Sequence, residues 1–282
     1  MADVGSGVHP AVEEPTPSSR IDPSVPHPAR RYDYWLGGKD NFAADRQSGD
    51  AVAAAYPAIR TTVIENRRFM QRATRYLTES AGVRQFLDIG TGIPTSPNMH
   101  EIAQGVAPES RVVYVDNDPI VLTHARALLT STPEGATAYV DADLRDPERI
   151  LDHPDVRATL DLDRPLGLML VAILHFLTDA DDPYAITRRL VDALPSGSYL
   201  VVSHATTDLV PRNVAATAAP VTTASMIDMA FRSRDQFAAF FDGLELVPPG
   251  ITPVTEWQPD DPAELRTPVA QASMYAAVAR KP

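Results

Sequence analysis

Apolar runs alternate with amphipathic stretches along most of this chain. The runs "QFLDI", "RVVYVDNDP", "ATAYVDADL", "LGLMLVAILHF" and "SYLVVSH" predict five strands in that order. The fourth is apolar throughout, as a central strand of a parallel sheet should be. Helical spacing fills the gaps. In "TSPNMHEIAQGVA", Met99, Ile102, Ala103 and Val106 share one face; Thr95 or Ser96 is the expected cap, with Pro97 in the first turn. Asp118 and Pro119 open a second helix carrying Val121, Leu122, Ala125, Leu128 and Leu129 on one side. "DPYAITRRLVDAL" is a third, with Asp179 and Asp181 upstream as expected cap acids. Strictly alternating strands and helices predict an α/β fold with a parallel sheet, right-handed crossovers and a ligand at the carboxyl ends of the strands.

The flanks read differently. Residues 1–26 are rich in Pro, Ser and Glu and poor in large apolar groups, the composition of a disordered tail. Residues 27–82 form an aromatic and basic N-terminal segment. In its "NRRFMQRATRYL" stretch, Phe69, Met70, Ala73, Tyr76 and Leu77 make one helical face and arginines the other. Residues 83–282 hold the sheet as one domain. Past Ser203, "HATTDLVPRNVAATAAPVTTASMID" suggests a loop with a helical insertion. "SRDQFAAFFDG" is a helix with a Ser233–Gln236 capping box and a Gly243 stop, and "LELVPPGI" and "SMYAAVAR" predict two last strands.

Charge and composition narrow the function. The net charge of -12 argues against nucleic acid as the main partner, because phosphate binding needs a positive footprint. Nine of the basic residues against five acids nonetheless fall between His27 and Arg75, so the N-terminal segment is locally positive on an acidic body. The chain has no cysteine, which removes thiolate chemistry. No apolar run reaches membrane-span length and the start lacks a secretory pattern, so a cytoplasmic protein is expected. No His/Asp grouping has metal-ligand spacing, and no metal is expected.

The chemistry concentrates at the first strand. In Asp88-Ile89-Gly90-Thr91-Gly92, the two glycines let backbone pass close beneath a ligand, and the next helix points its amide dipoles at the same place. Asp116 ends the second strand, where a carboxylate can accept hydrogen bonds from both hydroxyls of a ribose. Asp141 and Asp143 stand on the same rim. Either a dinucleotide or S-adenosylmethionine suits this arrangement. A dinucleotide fingerprint would carry a third Gly or Ala where Thr95 stands. Pro94 removes an amide donor from the turn. Asp88 would repel a pyrophosphate but suits a ligand with an ammonium and a sulfonium.

The chain resembles the bacterial S-adenosyl methyltransferase family, Rossmann-like proteins with a seven-stranded sheet whose acceptors are mostly unassigned. The residues carrying the resemblance are "YDYWLGGKDNFAADR", "NRRFMQRA", "QFLDIGTGIPT", "VVYVDNDP", "YVDADLRDP", "LMLVAILHFLTD", "GSYLVVSH" and "FFDGLELVPPG", in order from Tyr32 to Gly250. It implies that Asp88, Gly90, Thr91 and Gly92 line the methionine end of S-adenosylmethionine. Asp116 would bind the ribose, Asn117 would sit beside the adenine, and Asp141, Ala142 and Asp143 would meet the adenine edge through a carboxylate and a backbone N–H. The reading is a methyltransferase acting on a small molecule at oxygen or nitrogen. A nicotinamide-dependent oxidoreductase and a non-catalytic cofactor binder are the alternatives. Oligomeric state is left open.

His175 is the candidate base, since it ends the fourth predicted strand at the rim; a histidine satisfied by nearby backbone is the competing reading. His204, ending the fifth, has the same standing. The aromatics Tyr32, Tyr34 and Trp35 precede the first strand, and a disordered segment has no use for so many of them. A lid over the cofactor, hinged at Gly37-Gly38 and building part of the acceptor pocket, is expected, with Arg67 near the cofactor's carboxylate. An edge-packing arm is the alternative.

Overall fold

The computed structural model describes residues 21–128, 130–216 and 227–282. Leu129, nearly all of the expected tail and the centre of the Ala-rich insertion lie outside the described residues. Three helices come first: α1 (Pro28–Leu36), α2 (Ala43–Ala55) and α3 (Ile59–Glu79). The alternating body follows as β1 (Gln85–Ile89), α4 (Met99–Val106), β2 (Arg111–Asp116), α5 (Pro119–Leu128), β3 (Ala136–Asp141), α6 (Pro147–Leu151), α7 (Pro154–Thr159), β4 (Gly167–Val171), α8 (Pro183–Asp192) and β5 (Tyr199–Ala205). The chain closes with α9 (Arg212–Ala215), α10 (Arg234–Ala238), β6 (Glu245–Leu246), β7 (Thr252–Pro253) and β8 (Met274–Arg280).

The sheet runs β3-β2-β1-β4-β5-β8-β6, with β7 also paired to β8. β1 to β5 are parallel and β8 enters antiparallel beside β5. The expected two last strands are therefore three, two of them two residues long, and the sheet has eight strands. Strand order reverses between β1 and β4, which opens a crevice at their carboxyl ends. Alternate strand residues feed two cores, as the two-residue period requires. Leu87, Val113, Leu168 and Val202 join the core under α6, α7 and α8. Phe86, Val112, Met169 and Val201 join the other, beneath α3 and α4, where Phe69, Met70, Ala73 and Leu77 meet the buried Trp257.

Several boundaries differ from the sequence reading. Asn98, not Thr95 or Ser96, caps α4: its side chain and that of Glu101 form a reciprocal capping box, and the Thr95 N–H donates to Asn98 Oδ1 at 3.0 Å. The cap of α8 is Asp182, which accepts from the Ala185 N–H, while Asp179 and Asp181 form a separate short turn. β4 stops at Val171 because Ala172 adopts a left-handed φ of 56°, which breaks the extended run. His175 therefore lies in a buried one-turn segment beyond the strand and does not end it. Toward the end of the expected tail, Ile21 packs against the small Ala29–Ile120 cluster.

Candidate active site

The crevice at the β1–β4 switch is a cavity of about 390 Å³. Its floor is the turn after β1. Gly90 and Gly92 hold left-handed φ values of 78° and 69°, which explains why only glycine serves there. The two differ in what surrounds them. A Cβ on Gly90 would meet the Ile173 side chain at 2.6 Å, whereas a Cβ on Gly92 would point into open space. Gly90 is required by the turn and its packing, and Gly92 leaves room in the cavity.

Asp116 ties this floor to the second strand. Its carboxylate accepts from the Gly92 N–H at 2.9 Å and the Asp118 N–H at 2.9 Å. Burial raises its pKa above the ordinary carboxylate value, and the two amides oppose that rise. Asp88 is also buried, with Thr91 Oγ1 donating to it at 3.0 Å. Desolvation pushes Asp88 up to about 7, and Asp116 beside it adds to the rise. Two acids whose charged forms cost energy face one cavity, an arrangement that a cationic ligand relieves.

Other expected residues divide. Thr91, Asn117, Ala142 and Asp143 line the cavity. Asn117 Nδ2 donates to Asp143 Oδ2 at 2.7 Å, and the Arg145 N–H donates to Asp143 Oδ1 at 2.8 Å. Asp141 does not line it: it stays in β3, paired with Asp116. The Ala142 N–H continues that pairing by donating to the Asp116 carbonyl at 3.3 Å, so it is engaged in the sheet. Arg67 reaches the cavity wall from α3, donating through Nη2 to the carbonyls of Thr95 and Pro97.

The N-terminal helices form the opposite wall. His27, Pro28, Ala29 and Tyr32 line the cavity. α1 begins cleanly because His27 caps it and Pro28 occupies the first turn, where a missing N–H costs nothing. Buried Arg30 clamps it to the body, with Nε 3.2 Å from Asp118 Oδ2 and 3.6 Å from Asp45 Oδ1, and His27 Nδ1 lies 3.1 Å from the same Asp118 oxygen. From the sequence Asp118 is expected only to open a helix, and His27 is given no role. Their one sequence signal was position, an acid opening a helix and a histidine before a proline. Gly37 and Gly38, the expected hinge, form a turn whose amides donate to the carbonyls of Tyr34 and Asp33. Gly37 is the left-handed cap of α1, and Gly38 packs against the Asp33 carboxylate, which also accepts from the Asp40 N–H and from Asn41.

A second, apolar cavity of about 130 Å³ adjoins the first, and both are lined by Pro28, Tyr32, Ala172 and Phe176. Tyr32 stands at the junction, fixed by a chain of hydrogen bonds. The Ala172 N–H donates to Ser203 Oγ, Ser203 Oγ to Asn66 Oδ1, Asn66 Nδ2 to the Tyr32 hydroxyl, and that hydroxyl to the Val63 carbonyl at 2.9 Å. Trp35 lines the second cavity only, and Tyr34 lines neither, its hydroxyl bonding Asp50 at 2.7 Å. His175 also lines the second cavity. Its Nδ1 accepts from the Ala205 N–H at 3.4 Å, and burial, aided by His204, Arg31 and Arg232, holds its pKa well below the usual imidazole value. The Ala205 contact occupies Nδ1, and the depressed pKa favours the neutral ring. His204 is buried against Arg232, its Nε2 2.9 Å from Nη1, and lines neither cavity.

A glycine-floored cradle at the sheet's switch point, with acids ending β1 and β2, defines a nucleoside-binding α/β protein. The S-adenosyl methyltransferase family matches residues 14–282, and the chain belongs to it. It is an S-adenosylmethionine-dependent methyltransferase. A DUF574 family protein of Streptomyces avermitilis MA-4680 is 54% identical, covering 93% of this chain and all of its own, with a TM-score of 0.89. A methyltransferase candidate of Thermobifida fusca YX is 40% identical over 96% of this chain and 99% of its own, at 0.84. The mitomycin 7-O-methyltransferase MmcR, 16% identical over 93% of this chain and 74% of its own, shares the fold at 0.52. No curated protein matches the chain. Among the described residues no helix is long and apolar enough to cross a membrane, and no His, Asp or Glu cluster is arranged to hold a metal.

Proposed function

We propose that the protein methylates a small molecule at an oxygen or nitrogen, with the acceptor seated in the apolar cavity. The observation that carries this is the cavity itself. It is small, walled mostly by apolar side chains and shares Tyr32 and Phe176 with the wall of the cofactor cradle, which suits a compact acceptor better than a polymer.

The residues present suit S-adenosylmethionine. Gly92 leaves the room a Cβ would fill, and Asp88 offers a desolvated carboxylate to a sulfonium and an ammonium. Asp116 would hold the ribose, Asn117 and Asp143 the adenine side, and Arg67 the carboxylate. When bound, the cofactor supplies an electrophilic methyl group. This chain's own part is to orient the acceptor and keep water out, the chief protein contributions to a displacement on an already activated carbon. His175 would orient an acceptor oxygen or nitrogen by donating from Nε2, the depressed pKa making it a weaker base than a free imidazole.

The test is calorimetric titration with S-adenosylhomocysteine and NAD in parallel, then turnover of labelled S-adenosylmethionine over a small-molecule panel. S-adenosylhomocysteine binding with no NAD binding supports the reading. NAD binding alone overturns it, and cofactor binding without turnover of any acceptor favours a non-catalytic binder.

A further inference from the structure

Among the described residues, four arginines are buried to 7% exposure or less outside the cofactor cradle, and three of them have close charged or carbonyl partners. Arg30 faces Asp45 and Asp118. Arg72 donates to the carbonyls of Val254 at 2.6 Å and Trp257 at 3.0 Å. Arg232 donates to the carbonyls of Leu174 and Leu177 and pairs with Asp179 at 3.1 Å. Arg31 is the exception. It is 1% exposed and lines the apolar cavity. Its Nη1 reaches Ser48 Oγ at 3.4 Å and its Nη2 reaches the Met229 sulfur at 3.8 Å, while its Nε, like those of Arg30 and Arg232, has no hydrogen-bond partner. The guanidinium also lies 5.0 Å from the Trp35 ring centroid. Among the described residues no carboxylate comes within ion-pair distance of it, and no acid lines the cavity.

A buried guanidinium given a hydroxyl, a thioether and an indole is costly unless something else completes it. Its planar fork matches a carboxylate. Asp45 steadies the Arg31 charge from beyond ion-pair distance but also faces Arg30 at 3.6 Å, so a neutral apolar occupant would leave Arg31 poorly compensated. A phosphate dianion would bring more charge than one guanidinium balances, since His175 is neutral. We propose that the acceptor is a carboxylic acid with an apolar body, its carboxylate held by Arg31 while the body fills the cavity. This rests on the reading of that cavity as the acceptor pocket. It makes Arg31 a specificity-determining residue on α1.

The test uses full-length protein saturated with S-adenosylhomocysteine, so that the first cavity is filled. Benzoate, phenylacetate and 3-methylbutanoate are titrated calorimetrically against benzamide, phenylacetamide and 3-methylbutanamide. At least one acid is expected to bind about tenfold or more tighter than its amide, the range of a charge-assisted hydrogen bond. Arg31→Met should erase that preference, and Arg31→Lys should keep part of it, while S-adenosylhomocysteine binds both variants. The comparison within unsubstituted protein stands even if Arg31→Met fails to fold. Equal binding of acids and amides, no acid binding at millimolar concentration, or a preference that survives Arg31→Met overturns the proposal and leaves the methyltransferase reading intact. Failure of S-adenosylhomocysteine to bind at the outset overturns both.

Discussion

Asp88 gives the site a pH response whose sign follows from its burial. Its pKa is about 7 in the folded chain against an ordinary 3.8, so between those values the folded state holds a proton that the unfolded state has lost. Its contribution to stability is thus fully present below about pH 4, falls as pH rises and is flat above about 7. A urea-melt series from pH 5 to pH 8 on cofactor-free protein should show this decline, and Asp88→Asn should flatten it. A cationic ligand favours the ionised acid, so S-adenosylmethionine affinity should rise through pH 7 in the parent and not in Asp88→Asn. Asp116 behaves differently because it also ties down two backbone amides. Asp116→Ala should weaken S-adenosylhomocysteine binding and lower the melting temperature together, since the buried Asp118 N–H loses its acceptor at about 1–3 kcal/mol and the half-buried Gly92 N–H at less. Unchanged affinity by calorimetry would remove Asp116 from the cofactor site. The glycines separate by the same logic. Gly92→Ala carries a left-handed backbone cost of about 1–2 kcal/mol but meets no neighbour, so it should fold and bind weakly. Gly90→Ala adds a 2.6 Å clash with Ile173 and should lose stability first.

Among the elements, α1 joins two jobs that the sequence left as alternatives. It walls both cavities, and it is clamped to the start of α5 through buried Arg30 and Asp118. Breaking such a pair strands a buried charge. Asp118→Ala should therefore cost about 3–5 kcal/mol, measured by denaturant melts, and should weaken cofactor binding by loosening the wall. An Asp118→Ala protein as stable as the parent would mean that the clamp is not formed in solution. β8 is the second element with more than local meaning. Although near the end of the chain, it lies inside the sheet between β5 and β6, with Ala276 to Ala279 wholly buried.

The molecule separates its chemistry from its scaffolding across the sheet. The residues lining the first cavity come from α1, the β1 turn, the end of β2 and the loop after β3, among other segments, far apart in sequence and together at one rim. A ligand binding there protects all of them at once. Hydrogen exchange with and without S-adenosylhomocysteine should show slowing near residues 27–32, 88–93, 116–117 and 142–145. Residues 157–164, at the opposite rim, should be unaffected. Protection confined to one of those segments would mean that the cradle is not a single site.

The sequence by itself determined the alternation of strands and helices, the glycine turn after β1 and the acids ending β1 and β2. Each is written locally, in a two- or four-residue period, a backbone angle only glycine tolerates, or a charge at a strand's end. His175 could not be placed that way. Its run is apolar to Phe176, but Ala172 turns left-handed and carries the histidine off the strand into a buried position beside the second cavity. Nor could the choice between Asp141 and Asp143, because it depends on where β3 leaves its pairing with β2. The fate of the N-terminal aromatics was equally hidden. Tyr32 reaches the junction while Tyr34 does not, because a helix spreads neighbouring residues around its axis and only its partners decide which side is inside. Arg31 shows this most plainly: one arginine among many in the chain, it became distinct only when folding buried it with no carboxylate among the described residues in ion-pair reach.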